Sequence, residues 1–404
     1  MIKYLPRLLI VSEVPLSKEG MGANRTLFNL LDAYPSEQLM LFAPETSLKT
    51  EPTAPPFDQR VFPFPGSYLP PLKNRLGLLI NALNLQLLEW LPIANQKSLE
   101  DFDPEVILVC PLTSWCLLMG HKLANHFHCP SLIYLMDDWL AKADSRWLSG
   151  STQTVAYKLL QESVGWLMIS EQLEADISSR YQLCPKHSLI VHNPVDLSGK
   201  DPPDKLPKRK GKFKVAYAGS ILPLHYDALA VVAEAIFQLR CAGKEIELVL
   251  YTHQSFWDLY QKQWKQWQVV YGSFIPYTEL DSYLKQADLL LVASSFRPEY
   301  AHAIRSSVFT KLTDYMAVGR PILSCGPDYS ACNQFIDKWK CGYILESNQL
   351  SKVKQFLGFI INHNYLNEEL SKLAFKVIKT NFSKSKIGLK INHFINLIFL
   401  LHTE

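Results

Sequence analysis

The sequence predicts an α/β protein built from two doubly wound domains with a cleft between them, and three observations carry that reading. Short apolar runs alternate with longer helical patterns along the chain, the rhythm of parallel sheets covered by helices on both faces. That rhythm starts twice, on either side of a Pro- and Lys-rich stretch over 200–214 with the composition of a solvated linker. The 404 residues also exceed one ordinary core, and with 48% hydrophobic and 20% charged residues the chain can fill two.

The elements follow in order. In the first half, 8–11, 39–42, 106–110, 132–136, 166–169 and 189–191 read as buried strands, with helical patterns over 24–31, 72–90 and 173–180 among the segments between them. In the second, strands over 215–218 and 246–251 flank a helix over 228–242, and strands over 269–271, 289–293, 321–324 and 343–345 continue the sheet. Residues 1–196 therefore form a first domain, 197–214 a linker, 215–385 a second domain, and 386–404 a tail helix expected to pack back on the first. An amphipathic interfacial helix over 70–90 or 391–401 would give peripheral membrane contact, but Leu-rich helices in a net acidic domain normally bury, and core packing is the preferred reading.

Composition excludes several function classes. The net charge of +3 combines an acidic first half with a basic second half whose excess is concentrated in 200–214, which suits a small phosphate ligand and not a nucleic acid. Eight Cys without a C-x-x-C pair read as buried free thiols in a reducing cytoplasm. No uncharged run reaches the roughly 18 apolar residues of a membrane span. His121, His126 and His128 lack a carboxylate at ligand spacing, so no metal is expected.

In doubly wound sheets ligands bind beyond the carboxyl ends of the strands, so the loops there are where chemistry is sought. The first loop carries Gly20 and Gly22 before a helix opened near Asn24, which lets bare backbone approach a ligand, although a plain flexible loop fits as well. The second places Asp137 and Asp138 at a strand end beside Trp139, where a carboxylate can act as a base, bind a sugar hydroxyl or cap the next helix. The third, Ala218-Gly219-Ser220, offers backbone N–H groups and a hydroxyl.

The fourth is the most informative. Residues 310–318 read as a helix stopped by Gly319, with Lys311 and Asp314 three apart on one face. A Lys near a helix N-terminus is unfavourable without an anion, which argues for phosphate; a carboxylate one turn on suits a vicinal diol such as a ribose. A solvated ion pair between the two is the plainer alternative.

The run Lys311-Leu312-Thr313-Asp314-Tyr315-Met316-Ala317-Val318-Gly319-Arg320-Pro321-Ile322, with Ala287-Asp288-Leu289-Leu290-Leu291-Val292 upstream, resembles the signature stretch of the family-4-like GT-B glycosyltransferases. Ile169-Ser170-Glu171 and His192-Asn193-Pro194-Val195-Asp196 are similar to the end of that family's first domain, and the likeness covers about residues 5–385.

The resemblance implies two Rossmann-like domains facing a cleft, with a nucleoside-diphosphate sugar on the second and a glycan, lipid-linked or small-molecule acceptor on the first. Lys311 would then meet the diphosphate and Asp314 the ribose, with Gly219, Ser220, Thr310, Glu299, Arg305 and Phe274 also on the donor side. Gly20, Gly22 and Asn24 would form the acceptor-side glycine loop. It further implies retention of configuration, no metal, and a role in cell-surface polysaccharide or glycoconjugate synthesis, in the cytoplasm or at the inner face of the membrane. The chain departs from the pattern in places. Ser220 and Pro223-Leu224-His225 stand where the family often has basic residues, and Ser306 where it has a first Glu, with Glu299 further upstream. Residues 111–113 replace a common His, which makes Asp137 or Asp138 the substitute candidate. A degenerate sugar-nucleotide or glycan-binding protein, and an epimerase or phosphorylase on the same fold, are the alternatives.

Overall fold

The computed structural model describes residues 4–14, 16–17, 22–44, 58–62, 90, 92–143, 149–203, 206 and 211–403. They divide into two compact units, one of residues 1–194 together with 384–404 and one of 195–383.

The first unit is built on seven strands, β1 (Leu8–Ser12), β2 (Leu39–Pro44), β3 (Asp58–Phe62), β4 (Val106–Cys110), β5 (Ser131–Leu135), β6 (Gly165–Met168) and β7 (His187–Ile190). Every pairing is parallel and the order is β3-β2-β1-β4-β5-β6-β7. Sequences such as LLIVS, VILVC and SLIYL are apolar but for a terminal serine in two of them, because both faces of a parallel sheet are covered, and all three strands are wholly buried. β3 has no counterpart among the strands read from the sequence. It is a polar edge strand, DQRVF, without the continuous apolar run that marks a central one.

The tail helix Lys384–Thr403 belongs to this unit. Lys384 pairs with Asp32 at 2.7 Å. A Cβ added at Gly388 would lie 3.3 Å from Ala33, and one at Gly165 only 3.0 Å from the Phe394 ring, so glycines on both sides let the backbones approach.

The second unit repeats the design with β8 (Phe213–Ala218), β9 (Ile246–Tyr251), β10 (Val270–Tyr271), β11 (Leu289–Ala293), β12 (Ile322–Cys325) and β13 (Tyr343–Leu345), all parallel, in the order β10-β9-β8-β11-β12-β13. In each sheet the winding reverses beside its first strand, between β1 and β4 and between β8 and β11. Successive crossovers leave on opposite faces there, and the carboxyl ends open a crevice. Part of the linker is packed: Lys200 pairs with Asp281 at 2.9 Å, and a Cβ on Gly319 would lie 3.2 Å from Pro203. The helix expected over 228–242 begins earlier, spanning Pro223–Cys241, because proline at its first position is already set for helical φ. The long helical pattern over 72–90 lies outside the described residues, except for Trp90.

Candidate functional site

At the reversal point of the second unit, β8 is followed by Gly219 and Ser220. Gly219 adopts φ +122°, which an L side chain rarely takes, and its N–H donates to the Tyr251 carbonyl at 2.9 Å. Gly219→Ala is accordingly expected to destabilise the unit by about 1–2 kcal/mol through backbone strain alone, seen as a lower midpoint in denaturant unfolding. The strand end is fixed from a distant part of the chain, since the Ala218 N–H donates to the Tyr315 hydroxyl at 2.8 Å.

Tyr315 lies in the helix Thr310–Val318, which begins after Phe309 with no side-chain cap and no acidic residue in its first turn. Lys311 is the second residue of that helix. Its ammonium donates to the Tyr217 hydroxyl and stands 3.9 Å from the centroid of that ring and 6.0 Å from that of Phe309. The Tyr217 O–H in turn donates to the Ser220 carbonyl at 2.6 Å. A Cβ added at Gly219 would lie 3.5 Å from the Lys311 nitrogen, so the ammonium and the glycine turn are neighbours.

Among the described residues no carboxylate pairs with Lys311. Burial pushes its pKa down from the ordinary 10.5 to about 7. A cation at the positive end of an uncapped helix, over bare backbone and without a counter-charge, is an arrangement that an anion completes.

Asp314 sits one turn along the same helix, half-buried, and accepts from the Tyr277 hydroxyl at 3.1 Å. Lys311 and Asp314 form no ion pair of their own, which sets aside the solvated-pair reading of their spacing. Thr310 opens the helix and its carbonyl accepts from the Thr313 hydroxyl at 3.0 Å. The other donor-side candidates lie further out. Glu299 is exposed in the short turn Pro298–Tyr300 and pairs with Arg297 at 3.4 Å, and Arg305 is exposed on the helix Ala301–Ser306. Phe274 is 49% exposed, edge-on to His253 at 6.0 Å. Ser306 is fully buried, and its hydroxyl donates to the His302 carbonyl at 2.8 Å.

In the first unit, Gly22 takes φ +59° immediately before the helix Ala23–Leu31, with Asn24 in its first turn; Gly20 lies outside the described residues. Asp137 is exposed and accepts from the Trp139 N–H at 3.2 Å. Asp138 is buried, and its two oxygens accept from Arg180 Nη1 and Nη2 at 2.7 and 2.6 Å, with the Ala141 N–H at 3.3 Å as a third donor. In this structure both Asp138 oxygens are therefore engaged, by the bidentate guanidinium and by the turn that follows.

Glu13 was not singled out by its residue type or spacing. It follows β1 at the reversal point, where its carboxylate accepts from the Thr113 hydroxyl, the Leu112 N–H at 2.8 Å and the Cys116 N–H at 3.2 Å. Burial pushes its carboxyl up, and these donors pull it back. It thereby occupies the N-terminus of the helix Ser114–Phe127. The available signal was an acidic residue just past the apolar run of a buried strand. His121 pairs with Glu162 and His126 with Glu100, at 3.0 and 3.8 Å.

Comparison with known proteins gives a fold but no close relative. No family model matches the sequence, and no curated protein matches it. Solved structures do. HepE from Anabaena, in complex with UDP and glucose, superposes with a TM-score of 0.67 at 13% identity, over 97% of this chain and 99% of that one. Sucrose-phosphate synthase from Thermosynechococcus elongatus gives 0.70 at 15%, over 98% and 100%. OtsA in its apo form gives 0.66 at 12%, over 97% and 99%. These likenesses extend over nearly the whole of each chain and both parallel sheets, and the fold they establish is that of the GT-B proteins.

Proposed function

We propose that the protein is a glycosyltransferase that takes its sugar from a nucleoside-diphosphate donor. The observation that carries this reading is the Lys311 ammonium, without a carboxylate partner among the described residues, at an uncapped helix N-terminus and set against Gly219 and Ser220 at the reversal point of the second sheet. Lys311 and the helix end meet the diphosphate, and the Asp314 carboxylate, steadied by Tyr277, accepts from the ribose hydroxyls. Solved structures of HepE with UDP and with UDP-glucose, on the same fold, favour UDP as the first nucleotide to try.

In the reaction the bond from the sugar C1 to the diphosphate oxygen breaks and the acceptor oxygen bonds to C1, losing its proton. The charge that develops on the departing diphosphate is met by a preorganised cation and backbone dipoles. The acceptor, assigned to the first unit, is a glycan, lipid-linked or small molecule, with retention of configuration. The setting is cell-surface glycoconjugate synthesis in the cytoplasm or at the membrane face. Among the described residues no helix is long and apolar enough to cross a membrane.

The test is calorimetric titration of UDP, GDP and ADP, followed by incubation of the matching nucleotide sugars with acceptor mixtures. One nucleotide binds, and Asp314→Ala weakens it by roughly tenfold, about 1.4 kcal/mol. Unchanged affinity in that variant would remove Asp314 from the site. Tight nucleotide binding with no sugar released from any donor would instead make the chain a sugar-nucleotide-binding protein.

A further inference from the structure

The helix Lys384–Thr403 packs on the first unit with one face, and its other face is unlike an ordinary water-facing surface. Ile387, Ile391, Phe394, Ile395 and Ile398 are buried, at the three- and four-residue spacing of a single stripe. Both ends are fastened. Lys384 pairs with Asp32 at 2.7 Å, and His402 Nε2 donates to the His128 carbonyl at 3.1 Å. The fold therefore sets which residues of this helix point outward.

The outward face carries Lys386, Lys390 and His393 along its first half, all exposed. Leu389, Leu397, Leu400 and Leu401 lie among and beyond them, between 38% and 61% exposed. At 3.6 residues per turn these seven positions fall within about 120° of the helix circumference. Single exposed leucines are ordinary on a protein surface, but four on one side of one helix make an apolar strip.

Charge selects what covers that strip. The 20 residues of the helix contain no Asp or Glu, and Asp32 answers Lys384 alone. Among the described residues Lys386 and Lys390 form no ion pair. A second copy of this helix would offer lysines and no carboxylate to meet them. A bilayer with anionic headgroups meets both parts of the strip, its phosphates taking the ammonium groups and its acyl boundary the leucines. The lysine stems can lie along that apolar boundary while their charged ends stay among the headgroups. The first half of the sequence is otherwise net acidic, so the basic strip stands out on the unit that carries it.

We propose that this outward face docks on an anionic lipid bilayer, with the helix lying in the plane of the headgroups and Leu397, Leu400 and Leu401 inserted. The first unit, to which the acceptor is assigned, is then the one held against the membrane. The docking surface itself stands or falls separately from the donor-site reading.

The test is co-sedimentation of the full chain with vesicles of phosphatidylcholine alone and with about one-third phosphatidylglycerol. The wild type is expected on the anionic vesicles and not on the neutral ones, with binding falling as salt rises. Lys386→Glu with Lys390→Glu should weaken that binding by roughly thirtyfold or more. Leu397→Ser with Leu400→Ser should weaken it by roughly tenfold at unchanged charge. All four positions are exposed, so thermal unfolding and UDP titration should be nearly unaltered in both variants, which separates a lost surface from a lost fold. Failure of the wild type to bind anionic vesicles overturns the proposal. So does a loss confined to the lysine variant, the result expected of an acidic protein or other polyanion as the partner. A dimer in sedimentation velocity that the leucine variant abolishes, without vesicle binding, would give the strip to a second copy and overturn it too. Absence of UDP binding in the wild type would instead overturn the donor-site reading and leave this surface standing.

Discussion

Lys311→Met is expected to weaken nucleotide binding by at least tenfold while raising the stability of the protein. Methionine keeps the length and the packing against Tyr217 and Phe309 but removes the ammonium that the diphosphate needs, so the loss is about 1.4 kcal/mol or more. The gain in stability has the same origin. Folding places a charge where water is scarce and no carboxylate answers it, and the folded pKa of about 7 lies below the ordinary 10.5. Between those values the unfolded chain binds a proton that the folded chain gives up, so wild-type stability falls as pH drops from 10 to 7 and is flat below.

The gap between variant and wild type should therefore widen over that window, to on the order of 1–2 kcal/mol after discounting for partial solvent access. Thermal unfolding at several pH values measures it. Nucleotide affinity moves the opposite way: the anion prefers the charged lysine, so wild-type binding weakens as pH rises above 7, by up to about tenfold per unit, and the methionine variant loses that slope. A variant both less stable and unaltered in affinity would show that Lys311 is an ordinary packing residue.

The second large effect is in the first unit and leaves the proposed donor site untouched. Asp138→Ala should destabilise that unit by about 2–3 kcal/mol, toward the lower end for breaking a buried pair because the Arg180 side chain keeps 25% of its surface in water. The substitution leaves the guanidinium without the partner that holds its pKa up, and removes an acceptor from the Ala141 N–H. Denaturant unfolding reads the loss, and UDP titration should be unchanged. A double variant, Asp138→Leu with Arg180→Met, should recover most of the stability because neither charge is left buried alone. If Asp138→Ala kept wild-type stability and lost only sugar transfer, Asp138 would be assigned to catalysis instead.

The architecture was legible in the sequence because parallel strands buried on both faces leave unbroken apolar runs, such as 8–11, 106–110 and 289–293, and a helix between consecutive runs forces the parallel winding. Lys311 and Asp314 were legible for a related reason. Their spacing of three puts them on one helical face, and a lysine in a first turn without an acid is conspicuous in any sequence.

The rest depended on partners distant in the chain. Nothing near Asp138 reveals that Arg180, 42 residues on, takes both its oxygens, or that Glu13 reaches Thr113 across 100 residues. β3 was hidden because an edge strand needs no apolar run. Periodicity records which face of an element is buried, and so it determined the fold and the helix that carries Lys311 and Asp314. Whether a polar side chain is satisfied or left open for a ligand is a balance of desolvation against hydrogen bonds to residues elsewhere in the chain, and only the tertiary structure decided it.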